Sequence, residues 1–296
     1  MNEPRLHHVS CLNSQGLHRM AYWEWGDRAN PQVLVCVHGL SRQGRDFDTL
    51  ARDLASPGPH SYRVICPDVV GRGQSDWLDN PMGYGVPQYV ADMVTLLARL
   101  DKAQVDWLGT SMGGLIGMAL AGLPGSPVRR LVLNDIGPNI EVQAVQRIGI
   151  YLGLPVRWPT EQAAADALWS ISQGFGPHTA EQWLALTRPQ LVADNGPAGA
   201  GFKSHYDPAI AVPVRAMTPE LAAAGQALLW QSYERINCRT LLLRGVQSDL
   251  LSPATALDMT LRGPRAQLHT FEGVGHAPTL VQADQRAVVR QFLFSP

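Results

Sequence analysis

The sequence predicts an α/β fold in which a mostly parallel central sheet is covered by helices on both faces. Short apolar segments such as VLVCV at 33–37 alternate with helical patterns as far as Asp135. These segments contain few polar residues, as is typical of strands that are buried on both faces. The alternation indicates strands joined by right-handed crossovers, with their carboxyl ends along one edge of the sheet, where ligand sites form.

The elements follow one another along the chain with clear turn signals. Two short strands at 6–12 and 20–25, with Gly16 between them, come first. Further strands are predicted at 33–39, 62–68, 105–109, 129–135, 239–245 and 266–271. Apolar residues at helical spacing predict helices at 45–55, 87–100, 111–121, 253–261 and 280–294.

The pattern changes between 137 and 232. This segment contains Pro, Gly, Trp and Ala with helical fragments and no convincing strand. We therefore predict that 137–232 form a helical cap, inserted between a first core segment at 1–136 and a second at 233–296.

Composition excludes several functions. The net charge is −1 and no basic block is present, so we expect no nucleic-acid partner. No apolar run reaches the ~18 residues of a membrane span. The polar N-terminus and four scattered cysteines predict a cytoplasmic protein, and no Cys/His cluster predicts a metal site. The sequence leaves monomer and homodimer open.

The stretch GTSMG at 109–113 predicts a catalytic nucleophile. It fits the pattern G-x-S-x-G and lies between a predicted strand and a predicted apolar helix. A sharp turn there would expose the Ser111 hydroxyl at the sheet edge, and small residues two positions before and after would let neighbouring backbone pass closely. The alternative is a structural turn that contains a serine.

A serine nucleophile needs a base and an acid. His276 lies in a glycine-flanked loop after the last predicted strand, so it is the candidate base. Asp249 follows the strand at 239–245 and is the preferred acid. Asp135 follows the strand at 129–135, at the same edge of the sheet, and is its rival.

Two backbone N–H groups are candidates to bind a developing oxyanion. One belongs to Met112, directly after the nucleophile, and the other to Leu40, in the turn after the strand at 33–39. We expect His38 to brace that turn. The loop at 71–75 contains glycines but neither a G-x-G-x-x-G pattern nor a Walker lysine, so we do not expect it to bind phosphate.

The sequence resembles the α/β-hydrolase superfamily over essentially its whole length. The resemblance is carried by HGL at 38–40, DVVGRGQSD at 68–76 and GTSMGG at 109–114, together with Asp249 and His276. It is strongest to cap-bearing bacterial serine hydrolases of the esterase, enol-lactonase and meta-cleavage-product hydrolase type. The resemblance implies an α/β-hydrolase fold, a triad of Ser111, Asp249 and His276, and no cofactor or metal.

The predicted function is hydrolysis of small-molecule esters with small to medium hydrophobic acyl groups, through an acyl-enzyme intermediate. Hydrolysis of a lactone or a C–C bond is the main alternative, although the segment HGLSR lacks the longer glycine run usual in meta-cleavage hydrolases. A cofactor-independent oxygenase or perhydrolase and a non-catalytic ligand-binding module stay open. Arg42 and Tyr206 are the candidate pocket residues.

Overall fold

The computed structural model describes residues 3–58, 60–195 and 199–295. Residues 1, 2, 59 and 296 of the predicted core segments and 196–198 of the predicted cap lie outside the described residues. The strands in chain order are β1 (Arg5–Asn13), β2 (Gly16–Trp25), β3 (Val33–Val37), β4 (Arg63–Pro67), β5 (Val105–Thr110), β6 (Val128–Asn134), β7 (Arg157–Trp158), β8 (Leu191–Asp194), β9 (Gly201–Ser204), β10 (Arg239–Gly245) and β11 (Gln267–Phe271).

Ten α-helices lie between or after these strands in the described ranges. They are α1 (Asp48–Leu54), α2 (Val86–Leu100), α3 (Met112–Ala121), α4 (Val142–Tyr151), α5 (Glu161–Ser172), α6 (Ala180–Thr187), α7 (Ala211–Arg215), α8 (Pro219–Glu234), α9 (Pro253–Leu261) and α10 (Ala283–Phe294). None of the helices described is long and apolar enough to cross a membrane.

The central sheet has the strand order β1-β2-β4-β3-β5-β6-β10-β11 in the described part of the chain. The first two pairings, β1 with β2 and β2 with β4, are antiparallel, and the remaining five are parallel. The prediction of a mostly parallel sheet with helices on both faces is confirmed. The parallel strands end along one edge, and the residues that follow β3, β5, β6, β10 and β11 are brought there together.

The sheet separates two apolar layers. Val33, Val35 and Val37 of β3 belong to one cluster, which also contains residues of α2, α3 and α9. Leu34 and Cys36 belong to the other, with residues of α1 and α10. Successive side chains of a strand point to opposite faces, and β3 is buried on both faces and apolar at every position.

Two expectations need correction. The segment between β6 and β10 is not purely helical, because β7, β9 and β8 form a three-stranded antiparallel sheet there. The last helix begins at Ala283 rather than at 280, since Leu280 has a left-handed backbone with φ 61°. The boundaries of the cap at 137 and 232 stay a prediction.

Helix α3 begins in close contact with the sheet, and two glycines make this possible. A Cβ atom on Gly113 would lie 2.0 Å from the carbonyl oxygen of Val37, and one on Gly109 would lie 2.2 Å from Gly113 backbone. Neither neighbour is a flexible side chain, so neither can move away cheaply. The glycines of the G-x-S-x-G pattern are therefore required by the packing of backbone on backbone.

We predict that Gly113→Ala lowers the free energy of unfolding by about 3 kcal/mol or more. Overpacking usually destabilises a protein by about 1–3 kcal/mol, and rigid backbone cannot relax to reduce this loss. The free energy of unfolding in urea measures this. Gly149→Ala is the matched control, since Gly149 lies in α4 and a Cβ atom there would have no neighbour within 4 Å. Alanine at this position stabilises by up to about 1 kcal/mol. An unchanged midpoint for Gly113→Ala would contradict the packing argument.

Candidate active site

Ser111 lies on the turn between β5 and α3 in an unusual backbone conformation. Its φ is 51° and its ψ is −117°, a region that costs a non-glycine residue about 1–3 kcal/mol. The Ser111 N–H donates to the carbonyl of Asn134 at 3.0 Å, and the Ser111 carbonyl accepts from the N–H of Gly114 at 2.8 Å. These bonds to β6 and α3 hold the turn, so the hydroxyl has a fixed position at the sheet edge.

His276 lies in the loop between β11 and α10, and its ring joins two other side chains. Nε2 is 2.9 Å from Oγ of Ser111, and Nδ1 is 2.8 Å from Oδ2 of Asp135. When Nδ1 carries the proton and donates to the carboxylate, Nε2 is free to accept from the serine hydroxyl. The His276 side chain is 12% exposed and Asp135 is fully buried, so this chain of hydrogen bonds is largely shielded from water.

The Asp135 carboxylate has donors besides the histidine. Oδ1 accepts from the N–H of Gly245 at 2.9 Å, and Oδ2 accepts from the Ser248 hydroxyl at 2.6 Å. A buried carboxylate requires such partners, because its removal from water is otherwise very costly. These two donors also fix the direction in which the carboxylate faces His276.

The structure corrects the choice of acid: Asp135, not Asp249, contacts His276. Asp249 is 52% exposed and forms an ion pair with Arg147 at 2.6 Å. Strands β6 and β10 are parallel neighbours, so both aspartates follow strands that end at the same edge. Asp135 comes directly after β6, whereas Asp249 comes four positions after the end of β10 and turns outward.

The two candidate oxyanion donors belong to the turn after β3 and to the start of α3. Leu40 follows β3 in the turn that lines the same cavity, and Met112 is the first residue of α3. As the first residue of a helix, Met112 has a backbone N–H without an acceptor in its own helix. The geometry therefore leaves this N–H available to a ligand at Ser111.

Arg72 contacts both Leu40 and Met112, which the sequence did not predict. Its side chain is fully buried; Nε donates to the carbonyl of Leu40 at 2.8 Å, and Nη2 lies 3.6 Å from the sulfur of Met112. Nη1 donates to the carbonyl of Val70 at 2.7 Å and to the Tyr89 hydroxyl at 3.0 Å. Arg72 thus connects the loop after β4 to the turn after β3 and the start of α3.

His38 braces the same turn as a neutral ring. Nε2 accepts from the N–H of Val69 at 2.9 Å, so the proton is on Nδ1, which donates to the carbonyl of Gly39 at 2.7 Å. Complete burial lowers the pKa of His38 to about 3. The ring therefore stays uncharged beside Leu40 at neutral pH.

Asn134 is a second residue that the sequence did not single out. It is the last residue of β6 and is fully buried. Nδ2 donates to the Thr110 hydroxyl at 2.9 Å and to the carbonyl of Pro278 at 2.8 Å. This side chain joins the strand before Ser111 to the loop after His276. The sequence contained one indication of this role, since Asn134 is a polar residue directly after the apolar residues of RRLVLND.

A cavity of about 380 Å³ opens onto Ser111 and His276. Its walls are mainly apolar and include Ile148, Leu152, Leu154, Val156, Trp158 and Leu168 from the segment after β6. Both predicted pocket residues line it. Arg42 is bound by the Asp46 carboxylate with two contacts of 2.7 Å, and the Tyr206 hydroxyl accepts from the N–H of Gly153 at 3.1 Å.

One group of described residues has metal-ligand chemistry, and it lies outside this cavity. Atoms of Cys11, His18 and Asp92 that could bind a metal lie within 4.8 Å of one another, and all three residues are buried. His18 Nε2 is 3.0 Å from the Asp92 carboxylate. Burial raises the pKa of Cys11 to about 12, which disfavours the thiolate form that binds metals.

The chain is similar to known proteins over most of its length. Residues 34–291 match the sequence model of the alpha/beta hydrolase family. The chain is 56% identical over 289 residues to a 3-hydroxybutyrate-oligomer hydrolase of Cupriavidus necator, covering 98% of this chain and 97% of the relative. It is 28% identical over 251 residues to a 2-hydroxy-6-oxo-2,4-heptadienoate hydrolase of Pseudomonas putida, covering 83% and 82%. The crystal structure of an alpha/beta hydrolase from Novosphingobium aromaticivorans covers 99% of both chains with 34% identity and a TM-score of 0.83.

The neutral state of His38 has a measurable consequence. The pKa of His38 in the folded protein lies below the ordinary value of 6.5. As the pH falls through 6.5, His38 therefore becomes protonated in the unfolded chain but stays neutral in the folded chain. The contribution of His38 to the free energy of unfolding is thus complete above pH 6.5. It decreases below pH 6.5 by up to about 1.4 kcal/mol per pH unit.

We predict that the free energy of unfolding of the wild type minus that of His38→Gln falls as the pH is lowered from 7 to 5. Urea unfolding of the two proteins across this range measures the difference, in which the other titrating groups largely cancel. A difference that stays constant, or a His38 ring that titrates near 6.5 by NMR, would contradict this assignment.

Proposed function

The chain belongs to the alpha/beta hydrolase family and is a hydrolase, and we propose that it cleaves carboxylic esters through an acyl-enzyme intermediate on Ser111. The observation that carries the proposal is the continuous hydrogen-bond chain from Asp135 through His276 to Ser111, which ends at a largely apolar cavity. A hydroxyl within 2.9 Å of a histidine nitrogen, with that histidine oriented by a buried carboxylate, is the arrangement that activates a serine for attack.

In the first half of the proposed reaction, Oγ of Ser111 attacks the ester carbonyl while its proton passes to Nε2 of His276. Asp135 stabilises the resulting imidazolium through its bond to Nδ1 and keeps the ring in the productive orientation. The tetrahedral intermediate collapses, and the alcohol leaves with the proton that His276 holds. In the second half, water attacks the acyl carbonyl while His276 removes a proton from that water. The second tetrahedral intermediate collapses, His276 returns the proton to Oγ of Ser111, and the carboxylic acid is released.

The N–H groups of Leu40 and Met112 are the proposed oxyanion donors. Their value depends on being fixed before the charge develops, because preorganised dipoles need no rearrangement during the reaction. Arg72 and His38 supply this rigidity in the proposal, since one bonds the carbonyl of Leu40 and the other bonds the carbonyl of Gly39. They act through the turn and are positioning residues.

We propose short oligomers of 3-hydroxybutyrate, which are aliphatic oligoesters, as the substrate class. The 56% identity to a hydrolase of such oligomers, over nearly the full length of both chains, supports this choice. A mainly apolar cavity of about 380 Å³ lies within the usual range for pockets that bind small molecules, about 300–1,000 Å³. It accords with the small to medium hydrophobic acyl groups predicted from the sequence.

We predict that the wild type hydrolyses the 3-hydroxybutyrate dimer and short p-nitrophenyl esters, and that Ser111→Ala lowers kcat by about 10⁴-fold or more. Release of 3-hydroxybutyrate and of p-nitrophenol measures this. The 2-hydroxy-6-oxo-2,4-heptadienoate substrate serves as the comparison. If that C–C substrate is cleaved and both esters are not, the ester proposal is overturned in favour of C–C bond hydrolysis.

The choice of acid is tested by two matched substitutions. Asp135→Asn should lower kcat on a p-nitrophenyl ester by about 10³–10⁴-fold, because an amide at this position favours the wrong histidine tautomer. Asp249→Asn should leave that kcat within about twofold, because an exposed ion pair contributes little. The reverse ranking of the two variants would restore Asp249 as the acid. Circular dichroism and urea unfolding of both variants control for loss of folding.

A further inference from the structure

The cavity contains two arginines among the described residues that line it, and they differ in how firmly they are paired. Arg42 is held bidentately by Asp46, and the same carboxylate also accepts from Gln190 at 2.9 Å. Both partners are less than a fifth exposed. A ligand that displaced Asp46 would leave a poorly solvated carboxylate without its cation, and this is costly. Arg42 is therefore closed to an incoming anion.

Arg147 presents the opposite case. It lies on α4, lines the cavity that contains Ser111, and forms an ion pair with Asp249 at 2.6 Å. The two side chains are 46% and 52% exposed. Ion pairs that are this exposed contribute little to the stability of the fold, because water solvates both partners when they separate. A second carboxylate can therefore replace Asp249 at the guanidinium at small cost, and Asp249 then turns to solvent.

The proposed substrate class supplies such a carboxylate. An oligomer of a hydroxy acid has a free hydroxyl at one end and a free carboxylate at the other. In a dimer, the carboxylate belongs to the unit that leaves as the alcohol when the ester bond is cleaved. An arginine that binds this group would hold the leaving unit while the acyl unit is attached to Ser111.

We propose that Arg147 binds the free carboxylate of an anionic hydroxy-acid oligoester, and that this carboxylate takes the place of Asp249. The inference rests on the proposed ester hydrolysis and adds substrate selection to it. Arg147 recognises charge on the leaving unit, the apolar cavity walls receive its aliphatic carbons, and Asp249 competes for the guanidinium. When the product leaves, Asp249 forms its ion pair with Arg147 again.

The test compares two substrates that differ in one charge. These are the 3-hydroxybutyrate dimer as the free acid and the same dimer with its terminal carboxylate converted to a carboxamide. Arg147→Met should raise KM for the free acid about fivefold, because an ion pair at a half-exposed arginine contributes up to about 1 kcal/mol. It should leave KM for the carboxamide within about twofold. Asp249→Asn should lower KM for the free acid, because it removes the competing carboxylate.

The opposite signs of the two variants separate recognition from a structural role. If the Arg147–Asp249 pair only fastens α4 to the core, both variants change KM in the same direction on both substrates, and the inference is overturned. Arg188→Met is the matched control, since Arg188 forms a similarly exposed pair with Glu161 and lies outside the cavity. It should leave both KM values unchanged.

Wild-type activity distinguishes the two possible failures. If the wild type hydrolyses the carboxamide and the free acid, but Arg147→Met affects them equally or not at all, the ester hydrolase proposal stands and only the role of Arg147 is overturned. If the wild type hydrolyses neither substrate nor p-nitrophenyl esters, the proposed function fails and the inference fails with it.

Discussion

Gly113 sits where a side chain has no room, because the carbonyl oxygen of Val37 occupies the space that a Cβ would need. This contact lets α3 begin directly against β3, and Ser111 must then turn the chain in a left-handed conformation between β5 and α3. The strain at Ser111 is maintained by the bonds to Asn134 and Gly114. The position of Ser111, the proposed nucleophile, is therefore a consequence of backbone packing in the core. These hydrogen bonds fix it relative to β6 and α3.

The rest of the site is assembled on the same sheet edge. The loops after β6 and β11 carry Asp135 and His276 to the serine. Gly245 at the end of β10 donates its N–H to the Asp135 carboxylate, and Ser248 in the following loop donates its hydroxyl. Behind the proposed oxyanion donors, His38 and Arg72 bond backbone carbonyls and take no part in the triad. The His38 ring is neutral, and the guanidinium of Arg72 is buried.

Sequence reasoning located the parts of the site that depend on local pattern. The parallel strands, the Ser111 turn and the His276 loop follow from apolar periodicity and glycine spacing. The contact between Asp135 and His276 does not, since Asp135 and Asp249 both follow strands that end at one edge, and the outcome depends on which carboxylate the Gly245 backbone and Ser248 can reach. The sheet of β7, β8 and β9 escaped prediction for a related reason: its strands are two to four residues long and are stabilised by pairing between distant segments. Arg72 was missed because a charged residue between two glycines usually indicates an exposed loop.

The proposed activation of Ser111 by Asp135 and His276 is best tested by identifying the residue that becomes covalently modified. A fluorophosphonate ester should add to the chain once, and peptide mapping by mass spectrometry should place the adduct on Ser111. The modification should be abolished in Ser111→Ala and strongly slowed in Asp135→Asn, while Asp249→Asn reacts at the wild-type rate. An adduct on another residue of an enzyme that loses its activity, or equal labelling of wild type and Ser111→Ala, would show that Ser111 is not the activated nucleophile.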